Sequence, residues 1–266
     1  MALIRSSSPH LHMSSTAGEV MRLVILATLP GLAAMTFFFG WGTLINVVWA
    51  ILLAVGFEAA IVRLRKRPLS FYLSDYSAVV TALLLGLALP PFAPWWVTVV
   101  GVFVAIVIAK HLYGGLGQNP FNPAMVAYAL LLVSFPVAMT QWTVPFVLID
   151  GGESWNVLGF TDTLAVIFSS VEPGLIDNYS GATPLDAMRH RSGLTTEEAW
   201  ASVPVLAEGI GAWHAVSAAY FMGGVFLIYR KVFTIHTPMA VLLSLAVLSS
   251  VFYALDPSSF ADPFFH

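Results

Sequence analysis

Leu44-Ile45-Asn46-Val47-Val48-Trp49-Ala50-Ile51-Leu52-Leu53-Ala54-Val55-Gly56-Phe57-Glu58-Ala59-Ala60-Ile61-Val62, closed by Arg63-Leu64-Arg65-Lys66-Arg67, is the stretch that decides the fold class. Coiled as a helix at 1.5 Å per residue, the apolar run reaches roughly 28 Å, close to the hydrocarbon thickness of a bilayer. A single acid within it and a basic cluster directly after it read as a membrane span anchored at an interface. The whole chain carries the same signature. Of its 266 residues, 58% are hydrophobic and 9% charged, against roughly 45–50% and 25% in soluble domains. That composition excludes a soluble globular domain and a disordered one. With 14 acidic and 11 basic residues and a formal charge of −3, there is no basic excess to hold nucleic acid. Cysteine is absent, so the chain forms no disulfide and offers no thiolate to an iron–sulfur cluster or a structural zinc.

Outward from this span, six further apolar runs predict an all-α polytopic membrane protein with about seven transmembrane helices. Leu23 to Phe39, with Pro30 inside it, precedes the tight Gly40-Trp41-Gly42 turn. Tyr76 to Leu89 is short, roughly 21 Å, and Pro90-Pro91 stops it. Trp95 and Trp96 mark an interface, and the next run continues to Lys110. Pro123 to Met139, Ile210 to Tyr229 and Pro238 to Leu255 complete the set. Placing the N-terminus inside puts Arg5, Arg22, Arg63, Arg65, Lys66, Arg67, Lys110, Arg230 and Lys231 in the cytoplasm and only Arg189 and Arg191 outside, as the positive-inside rule requires. The polar opening Arg5-Ser6-Ser7-Ser8-Pro9-His10 argues against a signal peptide. Glu58 and Asp75 lie near helix ends, where water is within reach. The seven histidines are scattered, with only His10 and His12 close together, which is no metal site.

The stretch 140–209 breaks the membrane pattern and carries nine of the 14 acids. A loop of that length is usually functional. Leu164 to Phe168 is apolar but too short to span, and Thr195-Thr196-Glu197-Glu198 reads as a capping box opening a short helix.

Two motifs carry chemistry. The first is Gly114-Gly115-Leu116-Gly117-Gln118-Asn119-Pro120-Phe121-Asn122-Pro123, in which glycines allow a sharp turn and close approach to a ligand. Asn122 is placed to cap a helix beginning at Pro123, whose unpaired amides attract anions. Read alone, this segment is equally a well-capped turn. The second is Asp177-Asn178-Tyr179-Ser180-Gly181-Ala182-Thr183-Pro184-Leu185. Ser180, Gly181 and Ala182 leave a slim approach to the Thr183 hydroxyl, and Pro184 keeps Thr183 extended and accessible, a geometry that suits covalent modification. Read alone, it is equally an exposed turn.

From Ser8-Pro9-His10, through Asp75 to Trp96, to these two motifs, the chain resembles the RnfD/NqrB family, whose members are membrane subunits of the Rnf ion-translocating electron transport complex and of the sodium-pumping NADH:quinone oxidoreductase. In that family an Asp-x-x-Ser/Thr-Gly-Ala-Thr sequence is where a dedicated flavin transferase joins FMN, through its phosphate, to the threonine. Asp177 to Thr183 matches it, so the resemblance implies that Thr183 bears FMN; of the two branches, the RnfD one is the nearer. It also implies a second, noncovalent flavin, riboflavin among the candidates, which we expect at Gly114, Gly115, Gly117, Asn119 and Asn122. Arg189 and Arg191 could offset the flavin phosphate, against the plainer reading of a solvated helix end.

The resemblance further implies a urea-transporter-like fold of two inverted five-helix repeats. On that basis residues 1–22 form a cytoplasmic segment, 23–139 a first five-helix repeat, 140–209 the extracytoplasmic loop with the attachment motif, and 210–266 the start of a second repeat. Family members continue through about three more helices, so a longer gene product is expected. The implied function is a flavin-carrying subunit relaying electrons, coupled to Na+ or H+ transport, in a bacterial inner membrane. Its implied partners are flavoprotein and iron–sulfur subunits, the flavin transferase and the lipid membrane. A small-solute channel of the same fold would explain the helices but would leave the second motif unused, and a purely structural anchor would leave both unused.

Overall fold

Short-range chemistry sets where each helix begins and ends. The computed structural model describes residues 16–148, 158–169, 176, 179–191 and 193–262. Helix α1 (Ala17–Phe39) opens on a capping box: Thr16 Oγ1 accepts from the Glu19 N–H, and the Glu19 carboxylate accepts from the Thr16 N–H. These bonds satisfy donors a helix start otherwise leaves unpaired. The helix therefore begins at Ala17, well before the apolar run expected from Leu23. Helix α2 (Gly42–Leu64) covers the opening stretch and ends in the basic cluster. After α3 (Leu69–Leu73) and α4 (Ser77–Ala88), α5 (Trp95–Phe103) passes directly into a π-helical segment, Val104–Leu112. The run expected over Pro123 to Met139 divides into α6 (Pro123–Ser134) and α7 (Pro136–Thr140). Proline disfavours helical backbone in the residue before it, and Phe135 takes φ −134° and ψ 57°.

The loop is folded in its described parts. Strands β1 (Trp142–Thr143) and β2 (Ser180–Gly181) pair antiparallel, with α8 (Phe160–Phe168) between them in sequence. Helices α9 (Pro184–Arg189), α10 (Thr196–Ser202) and α11 (Pro204–Ala207) follow. Two long helices, α12 (Ile210–Tyr229) and α13 (His236–Leu255), complete the described chain.

Five of these helices are long and apolar enough to cross a membrane: α1, α2, α5 with its π-helical continuation, α12 and α13. The other two runs expected to span form shorter apolar helices. Helices α4 and α6 have 12 residues each, and at about 18 Å neither reaches across a hydrocarbon layer of roughly 30 Å alone. The all-α expectation describes the membrane part, and the loop adds the small β1–β2 pairing.

Packing relies on small residues that bring backbones together. Gly223 of α12 faces the Ala27 carbonyl of α1, where an added Cβ would collide with the oxygen. Ala50, Ala54, Leu85, Val97, Ile106, Ala127 and Leu131 build a core shared by α2, α4, α5 with its continuation, and α6. Asn46 fixes the Pro90-Pro91 stop by donating its side-chain amide to both proline carbonyls at 3.0 Å. Helix α13 is the opposite case: Ser249 alone among its residues is buried.

The expected capping box at Thr195 is present, with Thr195 Oγ1 accepting from the Glu198 N–H and Glu198 accepting from Thr195. The Thr195 N–H, and after it the hydroxyl, hold the Glu198 carboxylate below its ordinary value of 4.5. A lowered carboxylate favours the folded state above that ordinary value, and the benefit is lost as pH falls through the lowered one. Amide-exchange protection factors over Thr196–Ser202, corrected for the intrinsic pH dependence of exchange, are therefore expected to hold at neutral pH and to fall only in acid.

Candidate functional site

The Ser-Gly-Ala-Thr segment is positioned by the loop and by the ends of two membrane helices. Trp142 pairs with Gly181 and Thr143 with Ser180, and the Val144 N–H donates to the Tyr179 carbonyl at 3.0 Å. Gly181 is needed for that approach, because a Cβ there would lie 2.6 Å from Val144 Cγ1. Trp142 leans on Trp213 of α12 at 6.4 Å between ring centroids, and Trp213 on Phe39 of α1 at 4.7 Å. The segment is thereby docked at the ends of α1 and α12. Asp177 lies outside the described residues.

Thr183 is extended, as Pro184 dictates, with φ −71° and ψ 159°, and it is half-buried beside the exposed Ala182. It is also the N-cap of α9, a role the sequence reading missed. Its Oγ1 accepts from the Asp186 N–H at 3.3 Å and donates to Asp186 Oδ2 at 3.4 Å. Thr183 followed by Pro184 and, three residues on, an acid at 186 was the available signal.

Arg189 and Arg191 have different fates. Arg189 is exposed in the last turn of α9. Arg191 is committed to backbone carbonyls of Met188 and Leu194 at 2.9 Å and Ser259 at 2.5 Å, so it ties the segment after α13 to the loop. Of the two cations considered for a phosphate, Arg189 is the one with its guanidinium left exposed.

The Gly-rich turn lies at the other end of α6. Gly114, Gly115 and Gly117 take φ of +115°, +105° and +80°, backbone that favours glycine. Asn122 caps α6 as expected, its Oδ1 accepting from the Ala124 N–H at 3.0 Å. Gly114 and Gly115 line a cavity of about 670 Å³. Gly117, Asn119 and Asn122 do not line it, and the Asn119 side chain donates to the Phe121 carbonyl at 2.7 Å. Those three residues belong to the turn and the cap of α6. Asn122→Leu is expected to remove a cap worth about 0.5–2 kcal/mol, lowering the thermal midpoint of the full chain by a few degrees.

The remaining walls of the cavity hold a charge network that the sequence reading did not assemble. Lys110 Nζ donates to Glu58 Oε1 at 2.7 Å, Glu58 Oε2 at 2.9 Å and Ser77 Oγ at 2.7 Å. Ser77 Oγ passes its own hydrogen to Asp75 Oδ1 at 2.6 Å, and His111 Nε2 is 3.3 Å from Glu58 Oε1. Glu58, Lys110 and His111 are 1%, 2% and 3% exposed. One expectation is corrected: Glu58, expected within reach of water near a helix end, is buried against Lys110. His111 is a further buried member of the network; His10 and His12 lie outside the described residues. Lys110 and His111 are adjacent in sequence, and the wider turn of the π-helical segment brings both onto Glu58. Such segments are rare and recur at functional sites. Among the described residues no group of three or more His, Cys, Asp or Glu could hold a metal ion.

Both motifs and the helices that hold them fall within one known family. The chain matches the NQR2, RnfD, RnfE family over residues 4–266. The chain belongs to that family. It is 51% identical over 270 residues to the D subunit of the ion-translocating oxidoreductase complex of Alcanivorax borkumensis, covering 100% of this chain and 75% of that protein. The corresponding protein of Cellvibrio japonicus is 48% identical over 271 residues, with 100% and 74% covered. That of Marinobacter nauticus is 49% identical over 254 residues, with 95% and 71% covered. The chain thus spans about three quarters of the length of these relatives. Family membership and five long apolar helices make it a multi-pass membrane protein.

Proposed function

We propose that this chain is the membrane-embedded redox subunit of an Rnf-type ion-translocating electron transport complex, with FMN esterified through its phosphate to Thr183 and a second, noncovalent flavin in the cavity over Gly114 and Gly115. The observation that carries the reading is the placement of Thr183. Its backbone is extended, its neighbour Ala182 is exposed, and a strand pairing plus the Trp142, Trp213 and Phe39 rings fix the segment against the membrane helices. A hydroxyl so placed fits a phosphodiester. Arg189 supplies a cation on the same helix for the phosphate. When bound, the flavin supplies the electron-transfer chemistry; the protein contributes position and electrostatics. For the second flavin, a cavity of about 670 Å³ with the Tyr72 and Phe71 rings and charged walls is in the range of small-molecule sites.

The network of Asp75, Ser77, Lys110 and Glu58 is the proposed place where electron flow couples to Na+ or H+ movement. Buried ionisable groups in membrane helices are functional by default, and a hydrogen-bonded chain runs from Asp75 to Glu58. In this reading the short helices α4 and α6 belong to the first repeat of a urea-transporter-like fold, and flavoprotein and iron–sulfur subunits are the partners. The membrane is the bacterial inner membrane, with the N-terminus cytoplasmic. An extracytoplasmic reporter inserted within 140–209 is expected to be active, and a cytoplasmic reporter silent; the opposite pattern would invert the orientation.

The visible spectrum of the full chain, purified after expression with a flavin transferase, tests the reading. Flavin bands are expected. A colourless protein would favour a small-solute channel instead.

A further inference from the structure

We propose that Asp186 is the base that takes the Thr183 proton when that hydroxyl is esterified, so that the chain carries part of the machinery for its own modification. The inference rests on the reading of Thr183 as the flavin-bearing residue.

Helix α9 places both groups. With Thr183 as N-cap, the residue three positions on turns back over it, and the two hydrogen bonds to Asp186 come from different atoms. The backbone N–H of Asp186 occupies one lone pair of Thr183 Oγ1, which fixes the rotamer. The carboxylate Oδ2, at 3.4 Å, receives the hydroxyl hydrogen and leaves the second lone pair of Oγ1 for attack. The distance is long for a resting hydrogen bond, as expected of a base that closes on its proton only as the reaction proceeds. Ala187 and Met188 turn to the other side of the helix, where they are buried against Ala199, Val205 and Leu206. That packing leaves Thr183, Asp186 and Arg189, spaced by three, as a nucleophile, a base and a cation on the open side.

The step balances with a flavin adenine dinucleotide as donor, bound by the transferase with its magnesium ion. Thr183 Oγ1 attacks the phosphorus nearest the riboflavin. The Oγ1–P bond forms, the bridging P–O bond of the pyrophosphate breaks and AMP leaves. The hydroxyl proton passes to Asp186 Oδ2 and from there to solvent or AMP. Nothing is oxidised or reduced. The new ester oxygen still accepts from the Asp186 N–H, so the helix keeps its cap.

The test compares loading of the detergent-purified, flavin-free full chain by transferase, flavin adenine dinucleotide and magnesium, read as fluorescence of the band on a denaturing gel. Asp186→Asn keeps the backbone N–H and the side-chain shape but takes no proton. We expect it to lower kcat for loading by about 10²-fold with the KM for the chain little changed. Asp186→Glu should recover most of the rate. Loading of the Asn variant at the wild-type rate overturns the proposal, as does a loss that Glu leaves unrepaired or that falls on KM alone. A wild-type chain that stays dark under the same conditions overturns the assignment of Thr183 itself, which is a distinguishable failure.

Discussion

Thr183→Val is expected to abolish covalent flavin while leaving the chain folded. A phosphodiester requires the hydroxyl oxygen. Valine has nearly the shape of threonine without that oxygen, and its branched Cβ is at ease in the extended backbone of residue 183. The structure adds a cost that is local. Oγ1 caps α9 through the Asp186 N–H, and losing such a cap costs about 0.5–2 kcal/mol. The strand pairing of Ser180 and Gly181 and the buried Ala187 and Met188 are untouched by that loss, so the loop should keep its fold. On a denaturing gel the wild-type band should fluoresce, because an ester survives unfolding, and the Val band should be dark. Thr183→Ser should retain part of the signal. A fluorescent Val variant would move the attachment to another residue.

Lys110→Met is expected to destabilise the membrane part strongly. It removes the ammonium partner of a carboxylate that is 1% exposed and leaves only the His111 ring beside it, and breaking a buried ion pair costs about 3–5 kcal/mol. Glu58→Gln combined with Lys110→Met removes both charges and should restore most of that stability, since a neutral pair of similar volume avoids the cost of burying an unpaired charge. Thermal unfolding of the two variants in detergent checks this. The double variant also separates structure from coupling. In vesicles of the assembled complex it is expected to transfer electrons while moving far fewer ions per electron. A double variant that pumps at the wild-type ratio would make the network structural only.

Signals that act over three or four residues were legible in the sequence. Asn122 with Pro123 announced the start of α6, Thr195 with Glu198 that of α10, and Pro184 the extended backbone of Thr183, because caps and proline geometry need only neighbouring atoms. The break at Phe135 was equally local, yet the apolar run across Pro136 concealed it. Length and hydropathy located the long helices, whereas the 12-residue lengths of α4 and α6 emerged only with their ends in the structure.

What the sequence alone determined is a multi-pass helical membrane protein with a distinctive Ser-Gly-Ala-Thr segment in its folded loop, since hydrophobic run length and turn chemistry are properties of contiguous residues. Tertiary structure alone decided which distant residues meet. Glu58 and Lys110 are 52 positions apart and Ser77 and Lys110 are 33 apart, and each taken singly reads as a charge or hydroxyl near a helix end. Only the packing of α2 and α4 against the π-helical segment makes them one buried network. The reason is desolvation: a carboxylate and an ammonium excluded from water are stable only in each other's reach, and that condition is set in space, not along the chain.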